Sequence, residues 1–449
     1  MMTTLRRTRG TWIVVALATV VLTACASHST STSGASSTGS GGANGGAPSG
    51  ATVTVADLAP FSGADAALGP TYLVSCDGAT QAVNSAGGVL GHKLTCKGVD
   101  TRGDPADAVP ATHQMLATTS NLALVIGCTS DEAASVVPVL NAAKMVSFCM
   151  TGQSEFGSIH YQYFYRLVPP DLEESYAMIA IAQQLGYHKI ALAFGNDIGS
   201  QTFIQPAINA IGKAGLTMVA NETLDLSAST FRTEAAKIVA AHPDVILTEA
   251  LGSTDGTFLS EVKQLNGGKM IPVIGTSACI SPDWYKSVAA AIGASTLASD
   301  FHADNLVTET SGPSYTPFYN AIMSQQGKVG SSGNFATYLT APGAVHLYDA
   351  INLAALAMTE AKSTDPSVYA PYLATIGDGA SGAVTVYSYA QGIAALKQGE
   401  TIRYEGPGGP TSFDSYHTST GIFQVDTYNG SGAVQVTGNI TAAQLRALS

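Results

Sequence analysis

The chain has 449 residues, 45% of them apolar and only 12% charged, with a formal net charge of −12. This length accommodates two or three domains with sizeable cores. An acidic surface repels nucleic acid and anionic lipid, and no basic stripe with interleaved aromatic residues occurs along the chain. The composition therefore argues against a nucleic-acid partner.

The first 24 residues have the pattern of a signal peptide. Three arginines precede an apolar stretch at residues 11–23 that is too short to span a bilayer. The tetrapeptide Leu-Thr-Ala-Cys that ends at Cys25 resembles the bacterial lipobox, in which the cysteine is lipidated and becomes the new first residue. An ordinary signal peptide with an incidental cysteine is the alternative.

Residues 25–50 are expected to tether the protein. After Cys25 this segment is almost wholly Ser, Thr, Gly and Ala, which cannot bury enough apolar surface to fold. We therefore expect an extracytoplasmic protein that contacts the membrane through its lipid anchor only. It would lie at the outer face of the plasma membrane or in the periplasm.

From residue 51 onward, short β-branched runs alternate with helical patterns. The first series predicts strands at 52–56, 93–99, 122–126 and 145–149, and helices at 78–86, 105–118 and 131–143. This βαβα order predicts a parallel sheet covered by helices on both faces.

A second series follows the first. It predicts strands at 189–194, 217–224, 245–248 and 272–275, and helices at 172–185, 201–214, 231–241 and 257–265. Ligands of open α/β sheets bind beyond the carboxyl ends of the strands, so two such units facing each other would form a cleft. After residue 295 the pattern loosens. It predicts a long helix at 341–361, a Gly- and Tyr-rich insertion at 378–403 and a hairpin-like segment at 404–436.

Short motifs in a fixed order carry a family resemblance. They read VADLAPFSG at 55–63, AGGVLGHKL at 86–94, YRLVPPD at 165–171 and YDA at 348–350. Together they resemble the type I periplasmic binding proteins of the branched-chain amino acid (leucine/isoleucine/valine-binding) family over most of residues 51–436. The resemblance implies an α/β fold of two Rossmann-like doubly wound lobes, joined by three crossovers with a cleft between them. The expected first lobe is 51–168 and 298–361, and the expected second lobe is 169–297 and 362–449.

The resemblance also implies a ligand site at the strand ends of the first lobe. In amino-acid-binding relatives, hydroxyls and backbone N–H groups there hold the ligand carboxylate, and Thr129, Ser130 and Thr151 can supply such donors. Thr129 or Ser130 could instead simply cap the following helix. The candidate ligand-binding residues of this lobe are Ser62, Thr129, Ser130, Met150, Thr151 and Gly152.

The second lobe departs from the family pattern. Ser277 stands where relatives place an acid for the ligand ammonium, and Ile198 stands where they place an aromatic residue. Asp197 or Glu249 could replace the missing acid, although Asp197 could equally cap a helix and Glu249 could be solvated. With Asn196 these complete the candidate site, and they put an α-amino acid ligand in doubt.

Five cysteines remain after Cys25, in a chain expected outside the cytoplasm, where disulfides form. In the implied fold the residues of two cysteine pairs are neighbours, which leaves Cys279 unpaired with no assigned role. The predicted disulfides are Cys76–Cys96 and Cys128–Cys149. No C-x-x-C or H-E-x-x-H motif occurs, so we expect no metal and no cofactor.

These expectations converge on a substrate-binding protein of an ABC importer. It would capture a small polar solute, such as an amino acid or a related amide or organic acid, by hinge closure and present it to a permease. A ligand-sensing receptor subunit of a signalling system, with the same fold, is one alternative, and a cell-wall enzyme is another. No G-x-S-x-G motif and no phosphate-binding G-x-x-x-x-G-K-[ST] loop occurs, so the sequence predicts a protein that is not an enzyme.

Overall fold

The first lobe is built on a five-stranded parallel sheet with the order β2-β1-β3-β4-β5. A computed structural model describes the chain over residues 50–328, 334–419 and 421–449. The strands are β1 (Gly50–Ala59), β2 (His92–Asp100), β3 (Leu122–Thr129), β4 (Ser147–Met150) and β5 (Phe164–Tyr165). The predicted signal peptide, Cys25 and the tether up to residue 49 lie outside the described residues.

Helices connect these strands and begin at recognisable start signals. They are α1 (Gly69–Ser85), α2 (Pro105–Thr118) and α3 (Ser130–Ala142). Asp104 caps α2 by accepting the N–H of Ala106 at 2.7 Å, a common way to satisfy a free helix N–H. Helix α1 begins nine residues earlier than predicted, because proline fits its first turn.

The next part of the chain forms the parallel strands of the second lobe. They are β6 (Lys189–Gly195), β7 (Thr217–Leu224), β8 (Val245–Glu249), β9 (Val273–Gly275) and β10 (Phe301–Leu306). The helices are α4 (Asp171–Gln184), α5 (Ile198–Gln201), α6 (Ile204–Lys213), α7 (Arg232–Ala241), α8 (Gly252–Leu265), α9 (Pro282–Ile292) and α10 (Ala294–Asp300). The single helix predicted at 201–214 is thus two helices, α5 and α6.

The chain then returns to the first lobe. The elements there are α11 (Tyr315–Met323), α12 (Pro342–Ala361), α13 (Pro366–Asp378), β11 (Val384–Val386), α14 (Tyr389–Lys397), β12 (Ile402–Gly406) and β13 (Gly409–Pro410). Helix α12 is buried over most of its 20 residues in the first-lobe core. Ser75 of α1 donates to the carbonyl of Ala344 in α12 at 2.7 Å, which ties the two helices together.

A last antiparallel pair completes the second lobe. Strands β14 (Phe423–Tyr428) and β15 (Val434–Ile440) are followed by helix α15 (Ala442–Leu448). Because β14 pairs antiparallel with β10, the second sheet has the order β15-β14-β10-β9-β8-β6-β7. The predicted fold class, two parallel-sheet α/β lobes, is confirmed.

The lobe boundaries expected in the last third of the chain need correction. Residues 298–306 were expected in the first lobe, but β10 lies inside the second sheet. Residues 362–410 were expected in the second lobe, but Tyr369 and Tyr404 lie in the first-lobe core. The expected insertion at 378–403 is also ordered structure, because Tyr389 of α14 donates to the carbonyl of Gly88 at 2.9 Å. Local sequence patterns give the type of an element but not the sheet that it joins.

The chain passes between the lobes after β5, after β10 and after β13, as three crossovers require. Arg166, fully buried just after β5, cross-links the first and third of them. Its Nε donates to Thr418 Oγ1 at 2.8 Å, and one terminal nitrogen donates to the carbonyl oxygens of Thr151 and Gln153 at 3.3 and 2.9 Å. Burial lowers the pKa of this guanidinium to about 10.

Two disulfides brace the first lobe. Cys76 of α1 is bonded to Cys96 of β2, and Cys128 of β3 is bonded to Cys149 of β4, as predicted. Cys279 is a buried free thiol. None of the helices in the described ranges is long and apolar enough to cross a membrane.

Candidate ligand-binding cleft

A cavity of about 360 Å³ lies between the two lobes, at the carboxyl ends of their strands. In the first lobe the loop between β1 and α1, the ends of β3 and β4, and the start of α12 line it. In the second lobe the ends of β8 and β9 and the starts of α4, α5 and α9 line it. Its volume is in the range of pockets that bury small-molecule ligands.

Most of the residues expected at the site from the sequence line this cavity. They are Thr129, Ser130, Met150, Thr151, Gly152, Asp197, Glu249 and Ser277. The first and last of them, Thr129 and Ser277, are 148 positions apart in the sequence, and the two-lobed fold brings them together.

Three expected residues are not part of the cavity wall, which corrects the candidate site. The Ser62 hydroxyl donates to the carboxylate of Asp100, the last residue of β2, which is an edge strand of the first sheet. The amide of Asn196 donates to Asp225 at 3.2 Å and accepts the N–H of residue 226. Ile198 has an exposed side chain on α5. Each follows the strand end expected from the resemblance, but none of the three is among the residues that line the cavity.

The first-lobe hydroxyls already have protein partners. Thr129 Oγ1 donates to Glu132 at 2.6 Å, Ser130 Oγ donates to Thr151 Oγ1 at 3.1 Å, and Thr151 Oγ1 is 3.3 Å from Gln153 Oε1. For Thr129 the capping alternative is therefore correct, because Glu132 also accepts its N–H in a capping box. In this arrangement the three hydroxyl hydrogens are directed to protein oxygens.

The cavity wall is strongly acidic. Seven carboxyl groups line it, and its described lining residues include no lysine, arginine or histidine. The seven are Asp65, Asp131, Asp171, Glu174, Asp197, Glu249 and Asp283. Only Asp197 and Glu249 were singled out from the sequence.

Three of these acids meet where the lobes touch. The Asp131 carboxylate, in the first turn of α3, accepts the N–H of Gly199 in α5 at 2.9 Å, a hydrogen bond that joins the two lobes. Burial, and then the neighbouring charge of Asp131, raises the pKa of Asp65 to about 8. Asp197 caps α5 through the N–H and hydroxyl of Ser200, both at 2.7 Å, so its capping alternative is also correct.

A second acidic group lies on the second-lobe wall. Glu174 of α4 accepts the N–H of Ser277 at 2.8 Å, and the Thr276 hydroxyl donates to Glu249. Burial and the charge of Glu174 raise the pKa of Glu249 well above its usual value, and burial raises that of Asp171 to about 7. Glu174 thus supplies an acid beside Ser277, where the sequence pattern showed none. The acidic start of α4 was the signal that could have identified it.

Apolar side chains form the rest of the wall. Tyr72, Phe203, Leu306 and Trp284 all line the cavity. The Trp284 indole N–H donates to the buried carboxylate of Asp255 at 2.9 Å, which fixes the ring at the cleft. The combination of apolar walls and a few polar groups is typical of small-molecule sites.

A metal site receives no support from this geometry. Within the described ranges, one group of metal-ligating side chains lies close enough together to hold an ion, and it consists of Asp57, Cys76 and Cys96. The two cysteines form a disulfide, which removes their thiolates as ligands.

Three proteins illustrate what the chain is similar to. It is 24% identical over 200 residues, 44% of its length, to the Leu/Ile/Val-binding protein homolog 3 of Brucella melitensis, and this match spans about half (54%) of that relative. The substrate-binding protein LivJ of Streptococcus pneumoniae, solved with isoleucine, aligns with a TM-score of 0.68 and 19% identity over 86% of this chain and 99% of its own. A solute-binding protein of R. palustris, solved with 4-hydroxybenzoate, aligns with a TM-score of 0.67 and 16% identity over 87% and 97%.

These low identities show a shared fold. The family model described as periplasmic binding protein matches residues 52–426, most of the chain and both lobes. The chain therefore belongs to the periplasmic binding protein family.

Proposed function

We propose that this protein is the lipid-anchored, extracytoplasmic substrate-binding protein of an ABC importer, which captures a small polar solute between its lobes and presents it to a permease. The observation that carries the proposal is the cavity between the lobes, lined by strand ends from both of them. The chain is a binding protein and not an enzyme, in keeping with its family.

The proposed mechanism is hinge closure. A ligand that contacts both lobes stabilises the closed arrangement relative to the open one, and it shifts the population by its difference in affinity for the two. The Asp131–Gly199 hydrogen bond supports this proposal, because it is a contact that opening would break. The three crossovers, of which Arg166 cross-links the first and the third, are the natural hinge.

Trp284 provides a direct test of closure. The sequence holds two tryptophans, and Trp12 lies in the predicted signal peptide, so Trp284 would be the single fluorophore of the mature protein. A true ligand should change its emission and also reduce the radius of gyration in small-angle scattering. A solute that binds with no compaction would refute the mechanism.

Anchoring is tested separately at Cys25. If this cysteine carries lipid, Cys25→Ser should move the protein from the membrane fraction to the medium or the periplasm. Cys279→Ser is the matched control, because Cys279 is a buried free thiol on the second lobe and its replacement should leave the distribution unchanged. Unchanged membrane partition of Cys25→Ser would contradict the anchor.

A further inference from the structure

The charge of the cleft constrains the ligand. Seven carboxyl groups face a cavity whose described lining residues carry no cationic side chain. The guanidinium of Arg166 donates to backbone carbonyls and to Thr418 at the hinge; its charge also acts on Asp171, but it does not line the cavity. A buried charge needs a counter-charge or hydrogen bonds, so the missing cation of this site is expected to come with the ligand.

The charge of the first-lobe wall disfavours a ligand carboxylate. The start of α3, which could hold an anion, already carries Asp131 and Glu132 in its first turn. Asp65 lies next to Asp131, and together they make this end of the cleft negative. The hydroxyls of Ser130 and Thr151 are directed to protein acceptors. An anionic group at this position would meet carboxylates at close range, with the side-chain hydroxyls directed to protein acceptors.

The second lobe offers acceptors with spare capacity. Glu174 is more than nine-tenths buried, lines the cavity and accepts the N–H of Ser277 with one carboxylate oxygen. Glu249 accepts the Thr276 hydroxyl with one oxygen, which leaves the other for a donor in the cavity. Ammonium groups have three donors and no acceptor, which matches such a set of acceptors.

From this geometry we infer that the ligand is an organic cation: an amine with an apolar body, at least one ammonium group and no carboxylate. The inference rests on the proposed function, since it names the solute class of the same cleft. The apolar part would lie against Tyr72, Phe203 and Trp284, and the ammonium against the carboxylates of either lobe.

The electrostatics of the empty cleft agree with this inference. Burial and mutual repulsion raise the pKa of Asp65, Asp171 and Glu249 in the absence of a cation. A bound ammonium would favour their ionised forms and lower each pKa. Binding should therefore release protons, which calorimetry in buffers of different ionisation enthalpy can count.

The test uses compounds that differ only in charged groups. Leucine is compared with 3-methylbutylamine, which lacks its carboxylate, and with 4-methylpentanoate, which lacks its ammonium. Ornithine is compared in the same way with 1,4-diaminobutane. Thermal shift and calorimetry on the mature chain should show that at least one amine binds ten-fold or more tightly than its amino acid, and that 4-methylpentanoate does not bind. Tighter binding of either amino acid, or of 4-methylpentanoate, would overturn the inference.

Neutral isosteric variants test the site itself. Glu249→Gln and Asp65→Asn each remove a carboxyl group that a bound ammonium would ionise, one at each end of the cleft, and should weaken binding of the amine ten-fold or more while the protein stays folded. Glu400→Gln, at an exposed position on the first lobe, should leave the affinity unchanged. Full affinity in both cleft variants would overturn the inference.

Small-angle scattering separates this inference from the proposed function. Compaction with an amino acid or an organic acid would overturn the cationic ligand and leave hinge closure intact. An amine that binds through Glu249 and Asp65 without compaction would support the cationic ligand and contradict hinge closure.

Discussion

Replacing Arg166 by methionine tests whether the hinge depends on one buried guanidinium. The side chain is fully buried and makes three hydrogen bonds, to Thr418 Oγ1 and to the carbonyl oxygens of Thr151 and Gln153. Methionine fills part of the volume but donates to none of these oxygens. The variant therefore removes the guanidinium donor from the Thr151 carbonyl and the Thr418 hydroxyl, whereas the Gln153 carbonyl still accepts the N–H of Phe156 at 3.3 Å.

The expected loss follows from these bonds. Hydrogen bonds to a charged group contribute about 1.5–3 kcal/mol each, so three of them set a gross loss of several kcal/mol. Part of this loss is offset, because folding of the variant no longer has to desolvate a guanidinium. The lowered pKa of Arg166 reflects that desolvation cost. We expect a net decrease of about 3 kcal/mol in the free energy of unfolding, the lower end of the range for breaking a buried charged contact.

Urea unfolding followed by circular dichroism measures this loss as a lower midpoint at an unchanged slope. Thr418→Val removes one of the three bonds and should cost about 1.5–3 kcal/mol. Arg232→Met, at an exposed position on α7, is the matched control and should stay within about 0.5 kcal/mol of the wild type. A stability of Arg166→Met within that same margin would refute the role of Arg166 at the hinge.

Three further outcomes are expected. Thr151→Val should weaken ligand binding up to ten-fold in calorimetry, since it removes the hydroxyl that orders Ser130 at the cleft; unchanged affinity with lower stability would mean that Thr151 only packs. The ligand-free protein should lose the stabilising contribution of Asp171 and Asp255 between about pH 4 and 7, because burial raises the folded-state pKa of both carboxyls to about 7; the contribution is complete below the unfolded value near 4 and is gone once pH has risen through 7. His302, His346 and His417 have lowered pKa values and add stability as pH rises toward their unfolded value near 6.5, so the effect is measured against Asp171→Asn; a wild-type melting temperature that does not fall relative to this variant from pH 4 to 7 would contradict the assignment. Replacing both cysteines of the Cys76–Cys96 bridge by alanine should lower the free energy of unfolding by about 3 kcal/mol, as the chain-entropy model gives for a separation of 20 residues. An unchanged urea midpoint would argue against this stabilisation by the disulfide.

The sequence determined the features that depend on local pattern. Alternating β-branched runs and helical periods predicted the parallel strands of both lobes, because side-chain burial repeats with the period of the element. The implied neighbours Cys128 and Cys149 are bonded, because adjacent parallel strands end at the same edge of a sheet. Residues at those strand ends, such as Thr151 and Glu249, were placed at the cleft for the same reason.

Only the tertiary structure decided what depends on distant parts of the chain. Strand β10 has an ordinary strand pattern, and its partners in the second sheet, not its own residues, assign it to that lobe. Asp65 and Asp131 are 66 positions apart and each resembles a solvated or capping acid in sequence. They face each other and the cleft because the loop after β1 and the start of α3 meet at one sheet edge. The charge of a site is a sum over such distant side chains, and for that reason the acidic character of this cleft emerged only from the folded chain.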